Sequence, residues 1–456
     1  MLNVVTPIVK INDEENNIYI KRDDLLPFSF GGNKVRISEE FFLDMLSKKK
    51  NCIIGYGNAR SNLSRAIANM AYAKGIPCHI ISPADDDGKR VKTNNSRIVN
   101  SCNVVFHECS KTNVAETVKA VIEECENAGL SPYYIYGNEL GKGNESTPVE
   151  AYVKAYLEIK NQSAGLHFDY IFLATGTGMT QAGIIAGKKI YGGKETVIGI
   201  SIARKAEDEK KVLSNFITSY SRSKNISFEF ENDVFVVDDY LCGGYGKYNS
   251  EIKNTINRMF KQYGMPLDPT YTGKAFYGMN EYLAKNKIKG KNILFIHTGG
   301  TPLFFDYLKE LNNAPLVCEC KDANSLSAFL NAVDNCLPVP LSTRVNIDEY
   351  SKKVCENGKA LTISKNGEIV SAALFYCNDC DSKKAYLTLI ATRPGFEGHG
   401  YADLILKKAE SIAKECGMAE FHLDTDLSNY RAIAFYSNRE YKITDISGKV
   451  HMVKKL

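Results

Sequence analysis

Short apolar runs alternate with longer amphipathic stretches through the first two thirds of the chain, and turns rich in glycine or threonine follow several of the runs. The runs at 18–20, 52–56, 78–81, 103–106, 133–136, 169–174, 197–200 and 293–296 have strand length. Between them, Ile37, Phe41, Phe42 and Met45 share one side of a helical pattern that starts at Val35. Leu63, Ala66, Ile67 and Met70 do the same, and the stretches 114–126 and 149–159 are helical as well. Strands joined by helices imply a parallel sheet with both faces covered, so the fold class is α/β. At 456 residues the chain is too long for a single core and calls for two or three domains.

Ligands of such sheets bind where strands end, so the turns there carry the chemistry. The first is Gly31-Gly32-Asn33-Lys34. Glycine lets backbone approach a flat ligand closely, and a desolvated lysine amine can attack a carbonyl carbon. Ser61-Asn62 opens a helix after the loop Gly57-Asn58-Ala59-Arg60, with side chains suited to capping and N–H groups free for an anion. After 169–174 comes Thr175-Gly176-Thr177-Gly178-Met179-Thr180 at the start of another helix, a cradle for one phosphate. It lacks the Gly-Lys-Ser/Thr of a nucleotide-phosphate loop. It also lacks the glycine spacing and distal acidic residue of a dinucleotide site. Cys242-Gly243-Gly244-Tyr245-Gly246, Asp268-Pro269-Thr270-Tyr271-Thr272-Gly273-Lys274 and His297-Thr298-Gly299-Gly300 complete the set.

These segments, with Lys21-Arg22-Asp23 and Arg65, together resemble the fold type II pyridoxal phosphate (PLP) enzymes. The branch they resemble holds 1-aminocyclopropane-1-carboxylate deaminase and D-cysteine desulfhydrase, over residues 1 to about 310. The resemblance implies two parallel α/β subdomains and PLP as cofactor. Lys34 is then the Schiff-base lysine and the base that moves the Cα proton. Asn62 holds the PLP hydroxyl, and Thr175, Gly176, Thr177, Gly178 and Thr180 hold the phosphate. Thr298 or Thr272 faces the pyridine nitrogen. Ser61, Tyr245 and Tyr271 are hydroxyls that hold a substrate carboxylate or shuttle protons. Members that open the cyclopropane ring carry Glu where this chain has Thr272. A hydroxyl leaves the ring nitrogen less protonated, which points to Cα deprotonation and β-elimination on a small amino acid, D-configured ones included. The family loop Gly-x-Gln-Ser-Asn-His reads Ala59-Arg60-Ser61-Asn62-Leu63 here. Arg60 is suited to a bidentate carboxylate contact or else to solvent. Racemisation and β-replacement share the same first step.

Leu311-Asn312-Asn313-Ala314-Pro315 reads as a linker, spanning 311–317, after which the pattern changes. Helices at 326–333 and 347–354 precede a hairpin turned at Asn366-Gly367. A strand at 385–391 then runs into Gly398-His399-Gly400-Tyr401-Ala402 and an amphipathic helix. That strand–turn–helix unit is suited to a pyrophosphate. With Asn429 and Tyr436 it resembles the GNAT acetyltransferases, a mixed α+β fold, over 318–456. The resemblance implies acetyl-CoA held by Gly398, Gly400, Ala402 and Asn429, with Tyr436 protonating the leaving thiolate. Glu397, where the family has Gln or Arg, puts a carboxylate beside the pyrophosphate and opens a second reading, a non-catalytic acetyl-CoA sensor. His422 stands in a strand, as a packed sheet histidine or a base.

A net charge of +4 spread along the chain argues against nucleic acid or membrane as partner. The expected partners are amino-acid substrates and a second copy joined through the PLP domain. The 13 cysteines sit mostly in apolar or helical contexts, as reduced buried thiols do. With an N-terminus lacking a basic start and long apolar stretch, this gives a cytoplasmic expectation. Cys318-Glu319-Cys320 and Cys377-Asn378-Asp379-Cys380 lack a histidine pair at ligand spacing, and no metal site is expected.

Overall fold

The computed structural model describes residues 4–13, 15–84, 92–163, 165–313, 315–365 and 367–456. Met1–Asn3, Ala314 of the expected linker and Asn366 of the expected turn lie outside them. The chain divides into two compact units, Met1–Asn312 and Asn313–Leu456, with separate hydrophobic cores.

The first unit starts with β1 (Ile8–Ile11), β2 (Asn17–Lys21) and α1 (Asn33–Ser47). Next come β3 (Cys52–Tyr56), α2 (Asn62–Lys74), β4 (Cys78–Pro83), α3 (Asn94–Asn100), β5 (Val105–Cys109), α4 (Val114–Asn127), β6 (Pro132–Tyr134) and α5 (Ser146–Gln162). It finishes with β7 (Tyr170–Thr175), α6 (Met179–Tyr191), β8 (Thr196–Ser201), α7 (Ala206–Lys224), β9 (Phe235–Val237), α8 (Ser250–Tyr263), α9 (Thr272–Lys285), β10 (Asn292–Ile296) and α10 (Thr301–Asn313). One sheet has the order β5-β4-β3-β6 and is wholly parallel. The other, β1-β2-β10-β7-β8-β9, is parallel except for β1.

The apolar runs become central strands because both faces of each sheet are covered; Ile53, Ile54, Phe172, Leu173, Leu294 and Phe295 are fully buried. The run at 133–136 stops as a strand at Tyr134, where the Gly137 N–H donates back to the Tyr134 carbonyl and turns the chain. Helix starts follow side-chain chemistry. Ser61 Oγ accepts from the Ser64 N–H at 3.1 Å, and Thr93 with Ser96 forms a reciprocal capping box.

A buried ion cluster ties β2, α1 and α5 together. Lys21 Nζ bonds Glu158 and donates to the Thr6 carbonyl at 2.6 Å. Arg36 bonds Asp23 at 3.0 Å and Glu158 at 2.8 Å, and Tyr152 donates to Asp23 at 2.5 Å. Two cations against two carboxylates leave it neutral, the condition under which charges tolerate burial.

The second unit comprises β11 (Val317–Glu319), α11 (Ala323–Val333), α12 (Ile347–Asn357), β12 (Lys359–Lys365), β13 (Glu368–Asp379), β14 (Lys384–Thr392), α13 (Tyr401–Glu415), β15 (Glu420–Thr425), α14 (Tyr430–Ser437), β16 (Lys442–Ile446) and β17 (Val450–Lys455). The expected linker is shorter than 311–317, since α10 runs to Asn313 and β11 opens at Val317. The sheet order is β11-β12-β13-β14-β15-β17-β16, and among the described residues only β14 and β15 pair in parallel. Their pairing ends at Leu387↔Leu423 although β14 continues to Thr392, so the two strands part and leave a cleft.

Candidate active site

A cavity of about 320 Å³ lies between the C-terminal edges of the two sheets of the first unit. The small sheet supplies Tyr56, Gly57, Ser61 and Asn62; the large sheet supplies Ala174 to Gly178, Ile202 to Arg204, Thr298 and Gly299. Lys34, at the first turn of α1, points its amine here and donates to Thr177 Oγ1 at 3.3 Å. Burial pushes that amine down to about 8, with the Glu209 carboxylate pulling the other way. The lysine is set by the glycines before it. Gly32 has φ +99, and a Cβ there would sit 2.8 Å from the Thr298 carbonyl oxygen, so only glycine lets these two turns touch.

Gly178, with φ +81, caps the start of α6 and aims that helix end at the cavity. Asn33 donates to Thr180 Oγ1 at 2.8 Å, leaving the threonine its own proton for an anion. Thr175, in contrast, gives its proton to Glu209 at 2.9 Å. Asn62 Oδ1 accepts from Asn95 Nδ2 at 2.9 Å, so its amide N–H groups are the ones left for a ligand. On the opposite wall the hydroxyls of Tyr245 and Tyr271 bond at 2.5 Å, and burial holds Tyr271 well above the usual phenol range. Lys274 fixes the Tyr245 loop by donating to the carbonyls of Ile202, Leu241 and Gly244 at 3.1, 2.8 and 3.0 Å.

Two expected residues stand back from the cavity. Thr272 is fully buried and donates to Asp268 Oδ2 at 2.9 Å; Thr298, the other candidate for the ring nitrogen, lines the space. Arg60 packs by Gly246, where a Cβ would lie 3.4 Å from its Nε, and its charge favours ionised Tyr271. The lining side chains include Lys34, Lys111 and Arg204 and, among the described residues, no carboxylate. That charge balance suits a ligand carrying more than one anionic group.

In the second unit the cleft between β14 and β15 is lined by Leu387 to Ile390, Leu423 to Asp426, Asn429 and Tyr436. Asn429 Oδ1 caps α14 by accepting from the Ala432 N–H at 3.1 Å. Tyr436 is nearly fully buried, and burial raises its phenol far above the usual range, so it stays protonated. Gly398 and Gly400 take φ +78 and +73 ahead of α13, with Ala402 in its first turn. Glu397 folds back to accept from the Gly395 N–H at 2.8 Å. His422 lies outside the cleft and bonds Glu420 at 3.0 Å and His451 at 3.1 Å; His451 in turn bonds Asp424 of the cleft at 2.6 Å.

Residues 1–299 match the family of pyridoxal-phosphate dependent enzymes. The chain belongs to that family. Residues 327–441 match the acetyltransferase (GNAT) family, so this PLP enzyme carries a C-terminal GNAT domain. A Pyrococcus abyssi protein, provisionally named a 1-aminocyclopropane-1-carboxylate deaminase, is 30% identical over 298 residues, which is 65% of this chain and 88% of that protein. Its Pyrococcus horikoshii counterpart, provisionally named likewise, is 31% identical over 293 residues, 64% of this chain and 86% of that one. A solved structure described as an ACC deaminase homologue superposes with a TM-score of 0.60 at 29% identity, covering 68% of this chain and 94% of its own.

The residues present fit PLP. A lysine with a lowered amine, an anion-ready helix end and an amide with free N–H groups meet in one cavity that holds cations and no carboxylate among the described residues. Four contributors escaped the sequence reading: Asn95, Lys111, Arg204 and Glu209. Arg204 bonds Glu209 at 2.9 Å and also the Gly176 carbonyl. Its only sequence signal was its place just beyond a buried strand, at the edge where ligands bind.

Proposed function

We propose that the PLP domain deprotonates Cα and eliminates a β leaving group from a small amino acid, D-configured by the resemblance, and that the GNAT domain N-acetylates an amine from acetyl-CoA. The carrying observation is the cavity wall itself, with Lys34, Lys111 and Arg204 facing space that no carboxylate enters among the described residues. PLP supplies the electron sink that lets the Cα–H bond break. Lys34 takes that proton, with an amine that is neutral above about pH 8. Asn62, Thr177 and Thr180 hold the cofactor, while Ser61 and the Tyr245–Tyr271 pair hold the substrate carboxylate. Thr298, which lines the cavity where Thr272 does not, offers the ring nitrogen a hydroxyl and not a carboxylate. This favours elimination over the ring opening after which the archaeal relatives are provisionally named. Incubation with D- and L-cysteine and with 1-aminocyclopropane-1-carboxylate tests the reading. Keto acid with sulfide from D-cysteine is expected; inverted or substituted amino acid without keto acid would establish racemisation or β-replacement instead.

In the GNAT domain, Tyr436 protonates the departing thiolate and Asp424 and Asp426 attract a cationic acceptor. Glu397 is accommodated on the Gly395 N–H, which supports a cofactor loop that still works. Release of free thiol from acetyl-CoA across a panel of amines, lost on the order of 10²-fold in Tyr436→Phe, is the expected result. Turnover of the PLP half that responds to acetyl-CoA, with no transfer in the parent, would point to the sensor. A homodimer through the PLP domain belongs to the same proposal, and light scattering of the purified protein tests it.

A further inference from the structure

At the far end of the small sheet from the PLP cavity lies a second cluster of reactive side chains. Cys52 opens β3, His79 sits on β4 and Cys125 on α4. Cys52 Sγ and Cys125 Sγ are 3.9 Å apart, and Cys125 Sγ is 3.5 Å from His79 Nε2. All three donor atoms lie within 4.8 Å of one another, and all three residues are buried. The chain leaves β3 for the PLP cavity at Tyr56, four residues and about 13 Å along the strand from Cys52. The cluster is therefore not part of that site.

We propose that Cys52, His79 and Cys125 bind a thiophilic metal ion of the Zn2+ class. Tetrahedral zinc with Zn–S of about 2.3 Å and Zn–N of about 2.05 Å separates its sulfurs by about 3.8 Å and sulfur from nitrogen by about 3.6 Å, close to the Cys52–Cys125 and Cys125–His79 spacings here. Two thiolates and a neutral imidazole around a divalent ion leave no net charge in the sheet interior, which a bare thiolate pair would. The nitrogen facing the sulfurs is fixed from behind. His79 Nδ1 bonds His107 Nε2 at 2.8 Å, and the rings stack 10° from parallel. His107 Nδ1 lies 3.9 Å from Glu124 Oε2. A hydrogen bond to the far ring nitrogen is what orients a metal-ligating histidine, and His107 supplies it to His79. The alternative grouping of His79, His107 and Glu124 fits less well. Ligand nitrogens on one ion sit about 3.3 Å apart, so 2.8 Å marks a hydrogen bond.

Binding replaces two S–H bonds by two metal–sulfur bonds, releases two protons and needs no oxidant. The described residues offer three protein donors, so a water takes the fourth position. The ion joins β3, β4 and α4 and gives the small sheet a fixed point remote from the chemistry. His107 is partly exposed and Glu124 mostly so, which sets the edge from which the ion enters.

The full-length chain, produced in medium with added zinc and again in metal-depleted medium with cobalt, tests the proposal by metal analysis and absorbance. About one metal per chain is expected, with a sulfur-to-cobalt charge-transfer band in the near ultraviolet and ligand-field bands in the red. Cys125→Ser should remove both signals, His107→Gln should weaken metal retention by about 10- to 100-fold, and Cys336→Ser, an exposed thiol of the second unit, should change neither. A zinc-grown parent protein without stoichiometric metal, or one in which Cys52 and Cys125 are recovered as a disulfide, would overturn it whatever the variants do.

Discussion

Gly32→Ala tests the contact that places Lys34. At Gly32, φ is +99 and ψ 163, a region essentially reserved for glycine, which costs alanine about 2–3 kcal/mol. The new Cβ would also stand 2.8 Å from the Thr298 carbonyl oxygen and 3.2 Å from Gly299 Cα. Relieving that contact stretches the Asn33 N–H bond to the same oxygen, now 3.0 Å, at a further cost of about 1 kcal/mol. The first unit ends at residue 312, so its unfolding entropy is roughly 0.65 kcal/mol per degree, and ~3.5 kcal/mol becomes a fall of about 5 °C. Gly75→Ala is the internal standard. Gly75 has φ +63 with nothing within 4 Å of an added Cβ, so strain of about 1 kcal/mol and a fall near 1.5 °C are expected. Calorimetry reads both. Borohydride trapping of PLP on Lys34, quantified by peptide mass, should also decline in Gly32→Ala alone. Equal melting temperatures for the two variants would refute the argument, because the two turns would then separate at no cost.

Three further perturbations follow from the same geometry. The Lys34 amine, held near 8, lets the unfolded chain keep a proton that the folded protein lacks between about pH 8 and 10.5, so this group adds stability as pH rises through that window. In cofactor-free protein, Lys34→Met should therefore melt above the parent at pH 7 and lose that lead towards pH 10.5; a lead independent of pH would contradict it. Asp23 is held below the usual carboxylate range because Arg36 and the Tyr152 hydroxyl outweigh the effect of burial. Asp23→Asn should cost about 3–5 kcal/mol in denaturant titrations near neutrality, and the parent's advantage should fade as acid protonates Asp23. Asn95→Ala, which frees the Asn62 amide to rotate, should weaken PLP retention in equilibrium dialysis by about tenfold; unchanged retention would show that Asn62 is held by other means.

The sequence disclosed those parts of the site that need special backbone. Gly31-Gly32, Gly178 and Gly299 mark turns that only glycine makes, and Lys34, Thr177, Thr180 and Thr298 stand beside them. Side chains that act across the fold left no local mark. Asn95 reaches Asn62 from a helix 33 residues later, and Glu209 reaches Thr175 from α7. Thr272 shows the limit from the other side. The family resemblance offered it, or Thr298, to the cofactor ring, whereas three-dimensional packing commits its hydroxyl to Asp268. Among the strands of the first unit, β1 and β9 went unread because edge strands of four and three residues are too short to show a period. The cysteine–histidine cluster was invisible for a related reason, since its members are 27 and 46 residues apart in sequence and meet only when β3, β4 and α4 pack.

The PLP cavity belongs to neither sheet alone, since one wall comes from the β3 and β4 side and the other from the β7, β8 and β10 side. A molecule gripping both walls therefore acts as a removable cross-link between two sheets that share a core but no strand pairing. Its binding energy opposes their separation as well as its own escape. Breathing between the layers is then the gate for exchange of ligand, and amide hydrogens at 57–62 and 175–180 should slow together when the cavity fills and quicken together when it empties. Slowing confined to one of the two segments would mean that the ligand rests on a single sheet.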